Sequence, residues 1–499
     1  PVEAQIDEGN LGTSYASAHA TGAGALVRDY FAQGFYPTGS RTTGDRMPGL
    51  SGALVKAALV ASANFLENVG VSDFPTTPDR LAGQSRALNL GSVSGVPVGV
   101  IGNNEQGYGR IQLSAVLPIP NWPPSRAIGL PNTPEYPAAG LLIFDDIGTG
   151  EPPINNTTNT SVTRTFAVNS PNTAILTGGG RTVSVGALRV ALAWTDPPDV
   201  AEGGGTLVND LDLELESPGR DNCLFQGDIA PGGTVCGASS ANDNILYDGN
   251  VYQTGGGTRV GQWSQGRGAV DPDLGDRRNP VEAIHLSAVR VDAMGQPADS
   301  QIPIGTWRVR VKRGAGGAVP GQISGISGAN EDVNGNFRLD GTEDTDGDGL
   351  LDAGGQPYAL ILSGPVLGSG TQTWGGTTHA FPASTVDLDQ GAYGCADDVE
   401  VQVFDPDATT SSIGSAITLT VVDAAGNVLD TERGFAFTES PAGSRGFRSV
   451  QVPVRQAAPN AVANNGLLEA DTGRFIVADY VDTPVNGQAR ATVRCDPEL

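Results

Sequence analysis

Short stretches in which apolar and polar residues alternate recur from about residue 140 to the end of the chain, separated by turns rich in Gly, Pro and Asn. In TWRVRVKR (306–313), Trp307, Val309 and Val311 alternate with basic residues, as expected for a strand with one buried and one wet face. The 70 glycines and 34 prolines among 499 residues disfavour long helices and favour short strands joined by turns. The sequence therefore predicts a mainly β fold built from antiparallel sandwiches.

Two stretches near the start of the chain have helical spacing instead. Apolar residues recur at helical intervals in residues 12–32 and again in residues 51–63, where Ser51 is a suitable N-cap. A proline-rich connection, VLPIPNWPPSRAIGLPNTPEYP, begins near Pro118 and ends this helical region. These signals predict a partial α/β segment ahead of the β-rich remainder.

We predict three blocks from these changes in composition. Residues 1–120 form the α/β segment, residues 121–370 form a first β-sandwich with an acidic insertion at 330–355, and residues 371–499 form a second β-sandwich. The last block contains DAAGNVLD (423–430), a strong hairpin signal.

The formal charge of −26 makes nucleic acid and anionic membrane surfaces improbable partners. The sequence has no run of 18 apolar residues, so we expect no membrane span. It starts at Pro1, inside what reads as domain sequence, which leads us to expect a processed product or a fragment.

Four cysteines suggest two disulfides, Cys223 with Cys236 and Cys395 with Cys495. An even number of cysteines in an acidic, lysine-poor chain favours an oxidising, extracellular compartment. The alternative is four buried free thiols. CxxC spacing is absent, so the sequence does not favour a zinc site.

The first stretch with a candidate catalytic residue is NLGTSYASAHATGAGAL (10–26). Gly12 allows close approach of backbone or substrate, and Ser14 falls at the start of the first predicted helix, where unpaired N–H groups favour an oxyanion. Small residues along the helix predict close packing through the middle of a domain. Two interpretations follow from the local chemistry, namely a reactive serine and a plain N-cap on a buried helix.

The same stretch resembles the serine signature of the subtilisin-like serine peptidases, Gly-Thr-Ser-x-Ala-Ser/Thr-Pro-His-Val-Ala-Gly. Matching residues are Gly12, Thr13, Ser14, Ala16, Ser17, His19 and Gly22, whereas Ala18, Ala20 and Thr21 depart from the pattern. GYGRIQL (107–113) is similar to the stretch that closes the family's catalytic domain. LAWTDPP, LVNDLDLEL, YDGN and NPVEAI resemble the β-jelly-roll domain of the large alkaline subtilases, so the similarity spans roughly residues 12–363.

The resemblance implies that Ser14 is a peptidase nucleophile and that polypeptide chains are the substrate. It implies a fold in which the C-terminal part of a subtilase catalytic domain is followed by a jelly-roll β-sandwich. The strand pattern of residues 371–499 predicts an Ig-like β-sandwich after these two domains. In the family the triad Asp and His precede the Ser, so here both are expected outside this chain, on an N-terminal segment or a separate chain. His19, His285 and His379 are expected to be structural or surface residues.

The second stretch with candidate functional residues is the acidic sequence DVNGNFRLDGTEDTDGDGLLDAGG (332–355). Oxygen-bearing residues fall at alternate positions of two successive twelve-residue loops, first Asp332, Asn334, Asn336, Asp340 and Glu343, then Asp344, Asp346, Asp348 and Asp352. Such spacing suits Ca²⁺, although Phe337 and Gly355 stand where a glycine and an acid are usual. The pattern resembles thrombospondin type 3-like calcium repeats. The alternative is a solvated acidic loop.

Calcium is therefore the expected cofactor, and its removal is expected to loosen the strand QPYALILSG that follows the repeat. Weaker calcium candidates are Asp196, Asp210 and Asp212. The functional prediction is the serine-bearing part of a secreted subtilisin-like endopeptidase that is inactive without its partner segment. The alternative is a non-catalytic extracellular structural or adhesive calcium-binding protein that retains a relic protease segment.

Overall fold

The structure is a computed structural model. It describes residues 13–37, 39, 41–64, 68–69, 86–87, 107–118, 140–156, 159–168, 173–175, 182–184, 187–197, 207–218, 244–252, 264–267, 276, 278–286, 290–291, 297–299, 302–314, 355–367, 371–374, 377–380, 384–388, 392–405, 413, 416–423, 426–439, 446–456, 462–481 and 487–493. These residues are mainly β, as the alternation predicted.

The described residues of the amino-terminal segment form two helices, two 3₁₀ turns and four very short strands. Its elements are α1 (Thr13–Ala32), a 3₁₀ turn (Thr43–Asp45), α2 (Gly52–Ala61), β1 (Ala63–Asn64), β2 (Asn68–Val69), β3 (Arg86–Ala87), β4 (Arg110–Ile111) and a 3₁₀ turn (Leu113–Ala115). β1 pairs with β4 and β2 with β3, both antiparallel. The predicted N-cap of α2 is confirmed, because the Ser51 hydroxyl accepts a hydrogen bond from the Leu54 amide at 2.9 Å.

A two-sheet sandwich follows. Its elements are β5 (Gly140–Asp145), α3 (Asp146–Thr149), β6 (Ser161–Val168), β7 (Thr173–Ile175), β8 (Thr182–Ser184), β9 (Leu188–Trp194), β10 (Leu211–Ser217), β11 (Ile245–Tyr252), β12 (Ser264–Gly266), β13 (Val281–Leu286), β14 (Arg290–Val291), β15 (Pro297–Asp299), β16 (Gly305–Arg313), β17 (Tyr358–Gly364) and β18 (Val366–Leu367). One sheet has the strand order β12-β11-β10-β16-β6-β18 and the other β13-β9-β17-β5, whereas β7 with β8 and β14 with β15 form separate antiparallel pairs outside both sheets.

The four-stranded sheet is buried on both faces. α2 lies against β9, β13 and β17, and the six-stranded sheet belongs to the same hydrophobic core. Every residue of β9 is buried as a result, which explains why LRVALAW (188–194) reads as a nearly continuous apolar run.

The six-stranded sheet has one apolar face and one charged face. In β16, Trp307, Val309 and Val311 are buried, as the alternation predicted. On the charged face, Glu214 of β10 pairs with Lys312 at 2.9 Å and with Arg310. Burial alone would raise the pKa of Glu214, but hydrogen bonds from these two cations outweigh it and lower the pKa.

The remaining described part of the chain is built from short strands; Trp374 belongs to the hydrophobic core of the first sandwich, whereas the strands from residue 385 onward surround a separate hydrophobic cluster. Its elements are β19 (Thr371–Trp374), β20 (Thr377–Ala380), β21 (Thr385–Leu388), β22 (Ala392–Tyr393), β23 (Asp398–Val399), β24 (Val401–Phe404), β25 (Ile417–Val422), β26 (Val428–Arg433), β27 (Phe437–Glu439), β28 (Gly446–Ser449), β29 (Val452–Arg455), β30 (Leu468–Glu469), β31 (Phe475–Tyr480) and β32 (Gly487–Val493). The predicted hairpin is formed by β25 and β26, which pair antiparallel.

Two hydrophobic clusters account for the described core. The first runs from Val27 to Trp374 and joins both long helices to the first sandwich, and the second runs from Leu388 to Val493. The block boundaries at residues 120 and 370 stay predictions.

Candidate functional site

Ser14 lies at the amino end of α1, one residue after the helix begins, and it is exposed. The first N–H groups of a helix have no partner within the helix, and the helix dipole adds partial positive charge at the same end. The first turn of α1 carries no acidic residue. Negative charge that develops beside Ser14 would therefore be stabilised by this helix end.

Most of the amino-terminal part of α1 is exposed. Tyr15 is 50% exposed and Leu26 is 62% exposed. Of the small residues, Ala16 and Gly22 are exposed, and Ala20, Ala23 and Gly24 are half-buried. Close packing of these small residues was the expectation from the sequence, and the structure differs. The reason is that α1 contacts the rest of the described chain through its carboxyl end.

The carboxyl end of α1 is firmly docked. Val27, Tyr30 and Phe31 are buried, and the Tyr30 ring stacks on Phe35 with centroids 5.3 Å apart. The Tyr30 hydroxyl donates a hydrogen bond to the Pro118 carbonyl at 2.9 Å. The helix is thus held at one end, while the end that carries Ser14 is exposed.

None of the three histidines forms a described hydrogen bond with Ser14. His19 is exposed and lies five residues along α1, about 7.5 Å up the axis and about 140° around it. His285 lies in β13 and is 2% exposed, and burial followed by the charge of Arg189 lowers its pKa well below the ordinary value. His379 lies beside Asp45. Within the described residues, Ser14 therefore has no base.

Polar contacts between distant segments join the helices to the first sandwich. Asp145 at the end of β5 is fully buried and accepts hydrogen bonds from the Ser51 amide (3.0 Å), the Ser51 hydroxyl and the Gly148 amide (2.8 Å). Arg189 in β9 donates from Nη1 to the carbonyls of Ala61 (3.1 Å) and Ala63 (2.8 Å) at the end of α2. A cation at a helix carboxyl end is favoured by the helix dipole.

GYGRIQL, which resembles the end of a subtilase catalytic domain, is also tied to the sandwich. The Tyr108 hydroxyl donates to Asn250 Oδ1 at 2.9 Å, and Asn250 Nδ2 donates to Asp276 Oδ2 at 2.8 Å. Asn250 has a φ of 58°, a left-handed conformation that asparagine tolerates better than most residues. Sequence reasoning missed these anchors, because partners so far apart along the chain leave no local pattern.

Of the weaker calcium candidates, Asp210 and Asp212 are buried and Asp196 is half-buried. Asp196 accepts hydrogen bonds from the amides of Val208 and Asn209, both at 2.7 Å, so it orders that loop. Glu282 is fully buried, and burial followed by the charge of Asp212 raises its pKa well above the ordinary value. In the part of the chain that the structure describes, no group of three or more His, Cys, Asp or Glu residues is arranged to hold a metal ion.

The acidic repeat and three of the four cysteines lie outside the described residues. This applies to every predicted ligand from Asp332 to Asp352 and to Cys223, Cys236 and Cys495. Cys395 is described and is not a free thiol, and its Sγ lies 3.2 Å from the Ala470 carbonyl oxygen. The calcium site and both disulfide pairings stay predictions.

Comparison with curated proteins finds partial similarity to serine proteases, although no protein-family model matches the chain. Serine protease/ABC transporter B family protein tagD of Dictyostelium discoideum is 27% identical over 208 residues, which cover 41% of this chain and 10% of tagD. The related protein tagB of the same organism is 27% identical over 240 residues, covering 46% of this chain and 11% of tagB. The aligned region is thus about a tenth of each relative.

The solved structures found by comparison are too dissimilar to support a statement about the fold of this chain. A DUF4785 family protein from Legionella pneumophila is 7% identical with a TM-score of 0.14, covering 70% of this chain and 63% of that protein. A polysaccharide lyase is 10% identical with a TM-score of 0.15, covering 66% of this chain and 47% of the lyase. Among the described helices, none is both long and apolar enough to cross a membrane.

Proposed function

We propose that this chain is the serine-bearing part of a secreted subtilisin-like serine endopeptidase. The observation that carries the proposal is the exposed position of Ser14 at the amino end of α1, within a stretch that matches the subtilase serine signature. Partial similarity to two proteins named as serine proteases supports the same class of enzyme.

In the proposed reaction the Ser14 Oγ attacks the carbonyl carbon of a peptide bond. A histidine supplied by another segment of polypeptide takes the hydroxyl proton, and an aspartate of that segment orients the histidine. The amino end of α1 stabilises the oxyanion of the tetrahedral intermediate. The histidine then returns the proton to the leaving amine, and water hydrolyses the acyl-enzyme to release the acid and restore the Ser14 hydroxyl.

The exposed part of α1 is the surface on which that other segment would lie. Leu26 and Tyr15 are large side chains for which exposure to water is unfavourable, and small residues between them would allow a close approach of backbone. As part of the same proposal, the acidic repeat binds calcium, and Cys223–Cys236 and Cys395–Cys495 are disulfides of an extracellular protein.

A fluorophosphonate probe, which labels activated serines, tests the proposal. We expect labelling of Ser14 when the chain is assembled with a polypeptide that carries the Asp and His motifs, and labelling at least a hundredfold slower in the chain alone. Ser14→Ala should abolish labelling without loss of stability, because Ser14 is exposed.

Ser17→Ala is the matched control. Ser17 is a second exposed serine on the same helix, so its replacement should leave labelling unchanged. Labelling of the isolated chain at a rate comparable to that of the assembly would contradict the proposal. Failure of the folded assembly to react would favour the alternative, a non-catalytic extracellular calcium-binding protein with a relic protease segment.

A further inference from the structure

The antiparallel pair formed by β19 and β20, called the hairpin below, lies against the segment that follows α1. The Trp374 Nε1 donates a hydrogen bond to the Asp45 carbonyl oxygen at 3.1 Å. The Nδ1 of His379 lies 3.2 Å from Asp45 Oδ1. One hairpin therefore holds both the backbone and the side chain of Asp45.

The two rings of this hairpin form one flat stack. Trp374 and His379 have ring centroids 3.6 Å apart and planes inclined by 6°. Trp374 is 4% exposed, and the His379 side chain is 8% exposed. A stacked ring has little rotational freedom, so Trp374 fixes the direction in which the His379 Nδ1 points.

Gln372 makes a second attachment from the same hairpin. Its Oε1 accepts a hydrogen bond from the Tyr36 hydroxyl at 3.1 Å, and its Nε2 donates to the Ile143 carbonyl at 2.7 Å. The Tyr36 ring lies between Trp374 and Phe31, with centroid distances of 5.3 and 5.7 Å. Gln372 thus joins the segment after α1 to the first sandwich.

The segment held by the hairpin caps the carboxyl end of α1. The last carbonyl groups of a helix have no partner within it. Here the Met47 amide donates to the Phe31 carbonyl at 3.0 Å, and just beyond the helix the Thr42 amide donates to the Gly34 carbonyl at 2.9 Å. Asp45 lies between these two donors, so a hairpin that holds Asp45 also holds the cap.

We propose that β19 and β20 form a clamp that holds the docked end of α1, and that His379 is a positioning residue for Ser14. The clamp follows from the contacts of Asp45, Trp374 and His379, whereas its effect on Ser14 rests on the proposed function. α1 contacts the described chain mainly through its carboxyl end, so motion allowed at that end would be transmitted along the helix to Ser14.

Hydrogen–deuterium exchange of the full chain tests the clamp without any need for catalysis. His379→Ala should speed exchange of the Thr42 and Met47 amides and of the carboxyl half of α1 by at least tenfold. His379→Asn retains a donor near the Nδ1 position and should restore part of the protection, whereas His379→Phe retains only the stack. Amides of β31 and β32, in the other cluster, should not change.

Thr378→Ala is the matched control, since Thr378 is exposed on the same strand. Should His379→Ala not fold, Asp45→Ala makes the same test from the other side of the contact, because it removes the acceptor of the His379 Nδ1. Unchanged exchange in both variants would overturn the clamp.

The rate of fluorophosphonate labelling in the assembled enzyme tests the effect on Ser14. We expect at least a tenfold loss with His379→Ala and partial recovery with His379→Asn. Exchange that changes while labelling does not would overturn the positioning role and leave the clamp. If the assembled wild-type enzyme is not labelled at all, the proposed function is wrong, and so is the positioning role of His379. The exchange data still test the clamp in that case.

Discussion

Asp145 and Asp146 are adjacent residues at the junction of β5 and α3, and their carboxyl groups lie in different environments. Asp145 accepts hydrogen bonds from the amides of Ser51 and Gly148, which satisfy its buried Oδ2. Burial, followed by the neighbouring charge of Asp145, raises the pKa of Asp146 from 3.8 to about 7. Between about pH 4 and pH 7, Asp146 is therefore protonated in the folded state and deprotonated in the unfolded state.

This pKa predicts the sign of a pH effect at the scale of one residue. Stability falls with rising pH wherever the folded state binds more protons than the unfolded state. Asp146 should therefore lower the free energy of unfolding as pH rises from about 4 to about 7, with a slope of at most about 1.4 kcal/mol per pH unit, and have no further effect above that range.

Urea unfolding at several pH values measures this contribution as the difference between wild type and Asp146→Asn. The variant should lose this part of the slope and be more stable than wild type near pH 8. Asp29→Asn, which replaces an exposed carboxylate on α1, should follow the wild-type profile. Parallel profiles for Asp146→Asn and wild type would contradict the raised pKa.

At the scale of an element, the Ser51 side chain at the start of α2 makes two different hydrogen bonds. The Ser51 hydroxyl caps the helix through the Leu54 amide and also donates to the buried Asp145. Loss of an N-cap costs about 0.5–2 kcal/mol, and a buried acceptor left without its donor costs about 1–3 kcal/mol. Ser51→Ala should therefore destabilise the protein by roughly 2–4 kcal/mol.

Chemical denaturation should show this as a lower midpoint with an unchanged slope. Ser17→Ala, an exposed serine inside α1, should change stability by less than about 0.5 kcal/mol. A loss no larger for Ser51→Ala than for Ser17→Ala would show that the contact between α2 and β5 does not depend on this hydroxyl.

At the scale of the whole molecule, the predicted calcium site in the acidic repeat would link charge to stability. Carboxylates held close together repel one another by amounts on the kcal/mol scale for each pair, and a divalent cation would remove this repulsion. A ligand that binds only the folded state stabilises it by about 2.7 kcal/mol at a hundred times its dissociation constant. We therefore expect bound calcium by elemental analysis and faster proteolysis within residues 330–355 after chelation.

The structure restricts how far that effect should spread. The strand after the repeat, β17, pairs with β9 on one side and β5 on the other and is buried throughout, and Gln356 just before it is 1% exposed. Chelation should therefore spare β17, contrary to the expectation from the sequence. Neutralising Asp346 and Asp348 should mimic chelation, whereas neutralising Asp29 should not. Identical digestion with and without chelator, together with no bound calcium, would contradict the calcium prediction.

The amino-acid sequence by itself determined the features that depend on neighbouring residues. Alternation predicted β16, helical spacing predicted α1 and α2, and Ser51 was recognised as an N-cap because its partner lies three residues away. The position of Ser14 at a helix amino end was predictable for the same reason. Local steric and hydrogen-bonding preferences act over one or two turns and leave a readable pattern.

Only the tertiary structure decided which distant groups meet and which surfaces remain exposed. Ser51 and Asp145 are 94 residues apart and Asp45 and Trp374 are 329 apart, and no local spacing relates either pair. Leu26 has the same helical spacing as the buried Val27 and Phe31, yet it is 62% exposed. Periodicity identifies an apolar side chain, but its burial depends on which other segment packs against it, and that is a property of the folded chain.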